Sequence, residues 1–215
     1  TLEKVQEWQG RDPRFRLINQ ENLGLSTARN NGIKNSEGEY ILPLDADDFI
    51  SNTYVEEALR AFAKDPGLTL VYCKAVKFGE ESGDWDLPPF NLNKLKVSNI
   101  IFCSAIFKKQ DWELVRGYDD NLKQGWEDWE FFISLLKKGG EVKCLDTVGF
   151  YYRVKEKSMV TQMNEKVQNE VFSYINRKHL DFFGQKYPEF KSLRNENLPA
   201  KKATLCRRIL KLLKL

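Results

Sequence analysis

The sequence contains a single histidine and four cysteines that lie far apart, with no C-x-x-C pair. Zinc sites are built from closely spaced thiolates and imidazoles, so these absences exclude a Cys/His zinc centre. No uninterrupted run of about 18 apolar residues occurs, which excludes a membrane-spanning helix within these residues. Cys73, Cys103 and Cys144 lie in apolar, strand-like contexts. They are predicted to be buried, reduced thiols, which favours a cytoplasmic location.

Basic and acidic side chains are nearly balanced, with 34 Lys and Arg against 31 Asp and Glu. A net charge of +3 excludes nucleic acid as the main partner. The basic excess lies in residues 200–215, which contain six basic residues and no acidic one. A helical projection places the leucines of this segment on one side and most charges on the other. Two interpretations stay open: peripheral contact with the inner face of a membrane, or packing of the leucines against the rest of the protein.

The first half of the chain alternates between strand and helix patterns. This alternation favours a parallel α/β sheet, in which ligands bind at the carboxyl ends of the strands. Ser26 is predicted to cap the first of these helices, and Val55, Leu59 and Phe62 to share the buried face of the second. The remaining predictions are strands at 15–20, 40–44 and 68–78, helices at 26–38 and 51–67, and a long surface loop at 79–99.

Three carboxylates, Asp45, Asp47 and Asp48, follow immediately after the apolar run at 40–44. Negative charges this close repel one another unless a cation or water lies between them. Mg²⁺ and Mn²⁺ prefer oxygen ligands and keep coordination positions for substrate phosphates, so one interpretation is a divalent-cation site. The other is that one carboxylate caps the next helix while the rest are solvated. The triplet alone does not separate the two.

Residues 22–48, NLGLSTARNNGIKNSEGEYILPLDADD, resemble a segment of the GT-A-fold glycosyltransferases with the pattern N-x-G-x-x-x-A-R-N-x-G … L-D-x-D-D. The resemblance is closest to family 2, whose members are inverting and nucleotide-sugar-dependent. Residues 107–140 and 151–160 resemble that family's two later signatures, in the same order. The resemblance implies an α/β, Rossmann-like GT-A fold over residues 1–160, with a mostly parallel sheet flanked by helices. Residues 161–215 would form a helical C-terminal extension ending in the basic amphipathic helix.

The resemblance also implies roles for individual residues. Asp47 and Asp45 match the positions that bind the metal, Mn²⁺ or Mg²⁺, which stabilises the departing diphosphate. Asp128 matches the general base that deprotonates the acceptor hydroxyl, and Glu127 beside it is expected to orient the acceptor or neighbouring groups. The positions that match donor-binding residues are Asn22, Arg29, Asp45, Ala46, Arg153 and Ser158.

Two tryptophans flank the predicted base. Trp126 and Trp129 are expected to form aromatic walls for the acceptor sugar, although core packing equally explains Trp129. Arg29 is also consistent with a surface arginine on a helix, and Asp128 with a first-turn acid favoured by the helix dipole. Lys155 stands where many relatives have a histidine, so the phosphate contact there departs from the family pattern.

These features predict transfer of a sugar from a nucleotide-diphosphate sugar, in particular a UDP-sugar, to a hydroxyl of a saccharide or lipid-linked acceptor. The expected outcome is inversion, and the expected process is cell-surface polysaccharide synthesis. The alternative is a non-catalytic carbohydrate- or partner-binding relative with the same fold. The family's first strands, which hold the nucleotide base, do not precede Thr1 in this sequence. We therefore expect the chain to be N-terminally truncated and to bind nucleotide sugars weakly on its own.

Overall fold

The computed structural model describes residues 2–158, 162–187 and 189–197. The predicted basic helix at 200–215 lies outside these residues, as do Met159 and Val160 of the third signature. None of the described helices is long and apolar enough to span a membrane. The helices are α1 (Leu2–Arg11), α2 (Leu25–Lys34), α3 (Tyr54–Lys64), α4 (Leu92–Val97), α5 (Lys109–Leu114), α6 (Glu127–Leu136), α7 (Glu165–Lys178), α8 (Leu180–Phe183) and α9 (Phe190–Asn197). The strands are β1 (Tyr40–Ile41), β2 (Phe49–Ile50), β3 (Leu68–Gly79), β4 (Gly83–Trp85), β5 (Ile106–Lys108) and β6 (Glu141–Val154).

One mixed sheet organises the described residues, with the strand order β1-β5-β3-β6-β2 and with β4 paired to β3. The long strands β3 and β6 run parallel, whereas the other pairings are antiparallel. The predicted α/β class is confirmed, but the described sheet is mixed rather than mostly parallel. The reason is that β4 returns beside β3 as a hairpin, while β5 and β2 enter the sheet against the direction of β3 and β6.

The predicted strand at 15–20 does not form, because no described strand lies beside it to supply backbone hydrogen bonds. The predicted strand at 40–44 is reduced to β1, since Pro43 has no N–H to donate to a ladder. β1 lies at one end of the described sheet, and Leu44 beyond it is 44% exposed. The acidic turn therefore begins shortly after the edge strand β1.

The buried face of α3 lies one position away from the predicted one. Val55 and Leu59, expected in the core, are 41% and 39% exposed. Tyr54 instead points inward, and its hydroxyl donates a hydrogen bond to the Ser104 carbonyl at 2.9 Å. The buried residues keep helical spacing and are Tyr54, Ala58, Ala61 and Phe62.

Residues 79–99 do not form the predicted irregular loop. They contain β4, which pairs with β3, and α4, whose buried Leu95 anchors it to the core. The side chain of Asn91 accepts a hydrogen bond from the Asn93 N–H at 2.8 Å and caps α4. Trp85 of β4 packs on Tyr152 of β6, with 4.7 Å between the ring centroids. This segment is therefore a folded wall beside the sheet.

Two smaller predictions also need correction. α2 begins after Gly24, and Ser26 lies inside the helix, where its hydroxyl donates to the Leu122 carbonyl at 3.2 Å. The three described cysteines are unpaired, as predicted, but only Cys73 is buried. Cys103, in the turn before β5, is partly exposed, and Cys144, on β6, is exposed.

α6 is apolar on nearly all sides and is held from two directions. Phe131 packs on Phe107 of β5 with 4.9 Å between ring centroids. On the other side, Glu130 Oε1 lies 2.7 Å from Nε2 of His179, and both residues are buried. The single histidine is therefore structural, as its position outside every signature indicated. These contacts fix the start of α6 relative to the sheet.

Gly149 in β6 is expected to tolerate no side chain. A Cβ atom there would lie 2.7 Å from Cys73 Sγ and 3.0 Å from Tyr54 Cγ, both in the core. Gly149→Ala should therefore lower the free energy of unfolding by about 1–3 kcal/mol, as overpacking does. Gly32→Ala in α2 is the matched control, because nothing lies within 4 Å of its added Cβ. Alanine should stabilise that helix by about 0.5–1 kcal/mol. Equal melting temperatures for the two variants would contradict this account.

Candidate active site

A cavity of about 560 Å³ opens beside the start of α6 and the end of β6. It joins the acidic turn after β1, the wall formed by residues 79–99, and the segment after β6. The fold thus brings together residues from all three sequence signatures. Its aromatic lining residues are Trp85, Phe102, Trp126, Phe150 and Tyr152. Its charged lining residues are Arg29, Asp45, Asp47, Asp48, Glu127, Asp128, Arg153, Lys155 and Lys157.

Arg29 lies at this cavity with a side chain that is only 8% exposed. Its Nη1 atom donates to Glu127 Oε1 at 2.7 Å, and its Nη2 atom donates to Asp45 Oδ1 at 2.9 Å. The guanidinium also lies 5.5 Å from the centroid of the Tyr118 ring. The interpretation of Arg29 as a surface arginine is therefore wrong. It joins two carboxylates that come from distant parts of the chain.

The three carboxylates of the acidic turn have different partners. Asp47 Oδ2 lies 2.5 Å from Lys155 Nζ, and this hydrogen bond lowers the pKa of Asp47. Asp48 Oδ1 accepts a hydrogen bond from the Arg153 backbone N–H at 2.8 Å. Burial, together with the neighbouring carboxylates of Asp47 and Asp45, raises the pKa of Asp48 to about 6. The turn therefore concentrates negative charge at one edge of the cavity.

The donor atoms that converge in this turn belong to Asp45, Asp48 and Cys103, and they lie within 4.8 Å of one another. The predicted metal-binding pair was Asp47 and Asp45, whereas the converging group contains Asp48 and not Asp47. Two carboxylates fit Mg²⁺ or Mn²⁺, which take few protein carboxylates and keep positions for phosphate. The Cys103 thiol fits a hard cation less well, because burial raises its pKa and keeps it protonated. Helix capping by the triplet is wrong, since α3 begins only after Thr53.

Asp128, the predicted base, lies in the first turn of α6 and lines the cavity. Its Oδ2 accepts a hydrogen bond from Asn99 Nδ2 at 2.9 Å, and its Oδ1 accepts one from the Trp129 N–H at 2.8 Å. Burial and then the charge of Glu127 raise the pKa of Asp128 to about 7, while Arg29 opposes the rise. A carboxyl group with this pKa can exchange a proton near neutral pH, as a general acid or base must.

The two tryptophans beside the predicted base have different positions. Trp126 lines the cavity, whereas Trp129 is 1% exposed in the core and donates its indole N–H to the Leu95 carbonyl at 2.7 Å. The predicted place of Trp129 in an acceptor wall is therefore wrong, and its core interpretation holds. Gly125 and Trp126 have φ angles of 112° and 63°. The left-handed conformation is strained for a tryptophan, and such strain is concentrated at functional sites.

The remaining predicted donor residues divide into two groups. Arg153 and Ser158 line the cavity. Asn22 and Ala46 are exposed and are not among its lining residues. Asn22 Oδ1 instead accepts a hydrogen bond from the Gly24 N–H at 3.3 Å, which shapes the turn into α2. The structure therefore does not bring Asn22 and Ala46 to the cavity.

The cavity residues that the sequence did not predict include Asn99, Trp85 and Cys103. Trp85 had a signal, because a lone tryptophan in the polar stretch ESGDWD is unusual for a solvated loop. For Cys103 the only signal in the sequence was its apolar context, and for Asn99 the sequence contained no signal. Asn99 reaches Asp128 across 29 positions of sequence, a pairing that only the fold creates.

A profile of the family described as Glycosyl transferase family 2 matches residues 1–119. The chain belongs to this family. Chondroitin synthase of Escherichia coli is 27% identical over 201 residues, which cover 92% of the chain and 29% of that protein. Hyaluronan synthase of Pasteurella multocida is 26% identical over 202 residues, which cover 90% of the chain and 20% of that protein. The chain thus spans less than a third of the length of these two relatives.

The crystal structure of S. aureus TarS 1–349 in complex with UDP-GlcNAc is similar to this family 2 chain, with a TM-score of 0.66. The match covers 84% of the chain and 54% of the TarS 1–349 chain at 16% sequence identity. At this identity the likeness shows the fold alone. The predicted GT-A fold is confirmed.

The raised pKa of Asp128 predicts how the stability of this glycosyltransferase-family chain changes with pH. Between its ordinary pKa of 3.8 and its folded pKa of about 7, the folded protein holds a proton that the unfolded chain has released. The contribution of Asp128 to the free energy of unfolding therefore falls as pH rises through this window. Asp128→Asn removes that contribution, so the variant should gain stability relative to wild type as pH rises from about 4 to about 7.

Denaturant unfolding of both proteins across this pH range measures the difference. Asp146→Asn is the matched control, because a hydrogen bond from Lys74 lowers the pKa of that exposed carboxyl and keeps it charged throughout. Its stability curve should run parallel to wild type. Parallel curves for Asp128→Asn as well would contradict the raised pKa.

Proposed function

We propose that the protein transfers a sugar, with inversion, from a nucleotide-diphosphate sugar to a hydroxyl of a saccharide or lipid-linked acceptor. The observation that carries the proposal is that the Asp45 and Asp48 carboxylates line the same cavity as the Asp128 carboxyl. Inverting transfer needs both groups: one to stabilise the departing diphosphate and one to deprotonate the acceptor. Membership of glycosyl transferase family 2 supports this reaction class.

A UDP-sugar is the proposed donor. TarS, whose fold this chain shares, was solved in complex with UDP-GlcNAc. Three cationic side chains that line the cavity, those of Arg153, Lys155 and Lys157, suit a diphosphate. Ser158 beside them brings a hydroxyl to the same lining. The segment after β6 would therefore bind the diphosphate.

Asp45 and Asp48 would hold the divalent cation, Mn²⁺ or Mg²⁺, with Asp47 as a third carboxylate in the same turn. When bound, the cation stabilises the negative charge that develops on the leaving diphosphate. The Arg153 backbone N–H holds Asp48, and Arg153 Nε donates to the Asp47 carbonyl at 3.0 Å. Lys155 pairs with the Asp47 carboxylate. These contacts tie the acidic turn to the proposed diphosphate-binding segment.

Asp128 would remove the proton from the acceptor hydroxyl. Hydrogen bonds from Asn99 and from the Trp129 N–H reach its two oxygens, so the carboxylate has a defined orientation. A pKa of about 7 makes it a stronger base than an ordinary aspartate while leaving it substantially ionised at neutral pH. Glu127 is engaged with Arg29 at 2.7 Å, so we assign it a supporting role beside the base.

The aromatic side of the cavity would bind the acceptor. Trp126 lies beside the base, and Trp85 and Tyr152 form a second aromatic surface. Such surfaces exclude water, which limits hydrolysis of the donor. Similarity to a chondroitin synthase and a hyaluronan synthase supports a polysaccharide product. A separate helical extension from residue 161, peripheral membrane contact and a cytoplasmic site remain predictions within this proposal.

In the full-length protein, Asp128→Asn should reduce sugar transfer at least about 100-fold and change UDP affinity less than about threefold, because the amide cannot accept the proton. Release of UDP from UDP-GlcNAc and other UDP-sugars in the presence of Mn²⁺ measures turnover, and calorimetry measures UDP binding. Asp146→Asn, on an exposed site outside the cavity lining, should leave both unchanged. Turnover that survives in Asp128→Asn would refute the base assignment. UDP binding without turnover in wild type would favour the non-catalytic relative.

Asp45→Ala and Asp48→Ala should each weaken Mn²⁺ binding at least about tenfold, since each removes a charged oxygen ligand. Electron paramagnetic resonance of free Mn²⁺ measures the affinity without any assay of transfer. Asp86→Ala, which removes an exposed carboxylate outside the cavity lining, is the control. A larger loss in Asp47→Ala than in Asp48→Ala would overturn the ligand pair proposed from the geometry.

A further inference from the structure

Arg29 is the described cation that forms ion pairs with both Asp45 and Glu127. Within the described residues, neither carboxylate has another ion-pair partner. The Arg29 and Glu127 side chains are 8% and 7% exposed, so this pair is largely shielded from water. The Asp45 side chain is more accessible to solvent, at 36% exposed. The guanidinium therefore bridges the acidic turn and the start of α6 at the wall of the cavity.

Arg29 is itself held by the elements below it. The Tyr118 ring, 2% exposed, lies 5.5 Å from the guanidinium. The next residue, Asn30, donates to the Tyr118 carbonyl at 2.8 Å and accepts from the Tyr118 N–H at 2.9 Å. It also accepts a hydrogen bond from Trp112 Nε1 at 3.2 Å. α2 therefore presents Arg29 from a fixed backbone position.

Each ion pair with Arg29 engages one carboxylate oxygen and leaves the second oxygen without a contact to Arg29. Arg29 holds Asp45 at Oδ1, while Asp45 Oδ2 lies 3.7 Å from Cys103 Sγ, within the donor group that suits a cation. Arg29 holds Glu127 at Oε1, directly before Asp128 in the first turn of α6. One side chain thus sets the orientation of a proposed cation ligand and of the turn that carries the proposed base.

Removing Arg29 would leave two carboxylates without compensation. A buried ion pair contributes little net stability, but the loss of one partner strands the other charge at a large cost. The stranded Glu127 charge would also lie beside Asp128. A lysine cannot substitute, because its single ammonium lacks the planar fork that reaches two carboxylates at once.

We propose that Arg29 is a positioning residue that joins the cation-binding turn to the helix carrying the base. The roles of the cation-binding turn and of the base rest on the proposed function. The bridge, which is the pair of contacts from Arg29 to Asp45 and Glu127, rests on the geometry alone. The proposed function and the bridge can therefore fail separately.

A double-mutant cycle tests the bridge. Arg29→Met and Glu127→Gln should each lower turnover, measured as UDP release from a UDP-sugar with Mn²⁺, at least about tenfold. The turnover of the double variant should be no lower than that of the less active single variant, because the double variant leaves no stranded charge at Glu127. UDP affinity by calorimetry should change less than about threefold in Glu127→Gln, because that variant leaves the carboxylates of the cation-binding turn in place. Arg29→Lys, which keeps the charge, should not restore turnover.

The matched control is the exposed ion pair between Arg60 and Glu56 on α3, with side chains 67% and 62% exposed. Arg60→Met and Glu56→Gln should leave turnover and UDP affinity unchanged, singly and together. Independent roles of Arg29 and Glu127 would give the opposite pattern to the bridge. The effect of Arg29→Met on turnover would then multiply with that of Glu127→Gln. That result would overturn the proposal.

Melting temperatures separate failure of the bridge from failure of the proposed function. If wild type releases no UDP from any UDP-sugar, the proposed function fails. The bridge is then decided by unfolding: the losses in melting temperature of Arg29→Met and Glu127→Gln should combine to less than their sum. Additive losses would overturn it. If Arg29→Met does not fold, the cycle is repeated with Arg29→Lys and read in the same way.

Discussion

The crowding of carboxylates around one cavity is the constraint on which the rest of this structure depends. Five acidic side chains line it, from Asp45 to Asp128. Each has a described partner that limits the repulsion: the Arg29 fork, the Lys155 ammonium, the Arg153 backbone N–H or the Asn99 amide. The balance is incomplete, because the pKa values of Asp48 and Asp128 stay raised. A site in this state favours a divalent cation at one end and a proton at the other.

The fold makes that crowding possible by fixing where each segment ends. The parallel pair β3 and β6 carries the segment after β6 toward the acidic turn. α6 is clamped between β5 and the Glu130–His179 contact, so its first turn has little freedom. The apolar packing behind the cavity therefore stabilises the fold, while under the proposed function the charges at the cavity would serve binding and proton transfer. This separation is the usual one for sites that are built on rigid elements.

The three signatures were enough to predict the GT-A fold and a shared cavity for Asp45, Asp47, Asp128 and Arg153, because ordered motifs carry long-range information. Other features depended on contacts that local patterns do not contain. Residues 15–20 have strand-like composition but no described neighbour to pair with. The burial of Trp129 and the hydrogen bond from Asn99 to Asp128 follow from how residues 79–99 fold against α6. The register of α3 was decided by the hydroxyl of Tyr54, which finds its partner 50 positions away.

A divalent cation, as proposed, would relieve the crowding of the acidic turn. Anomalous diffraction at the manganese edge, from crystals grown with Mn²⁺ and UDP, would reveal this cation. We expect one peak ligated by carboxylate oxygens of Asp45 and Asp48 and by the diphosphate. A peak bound through Asp47 without Asp48, or bound UDP with no manganese peak at this turn, would contradict it.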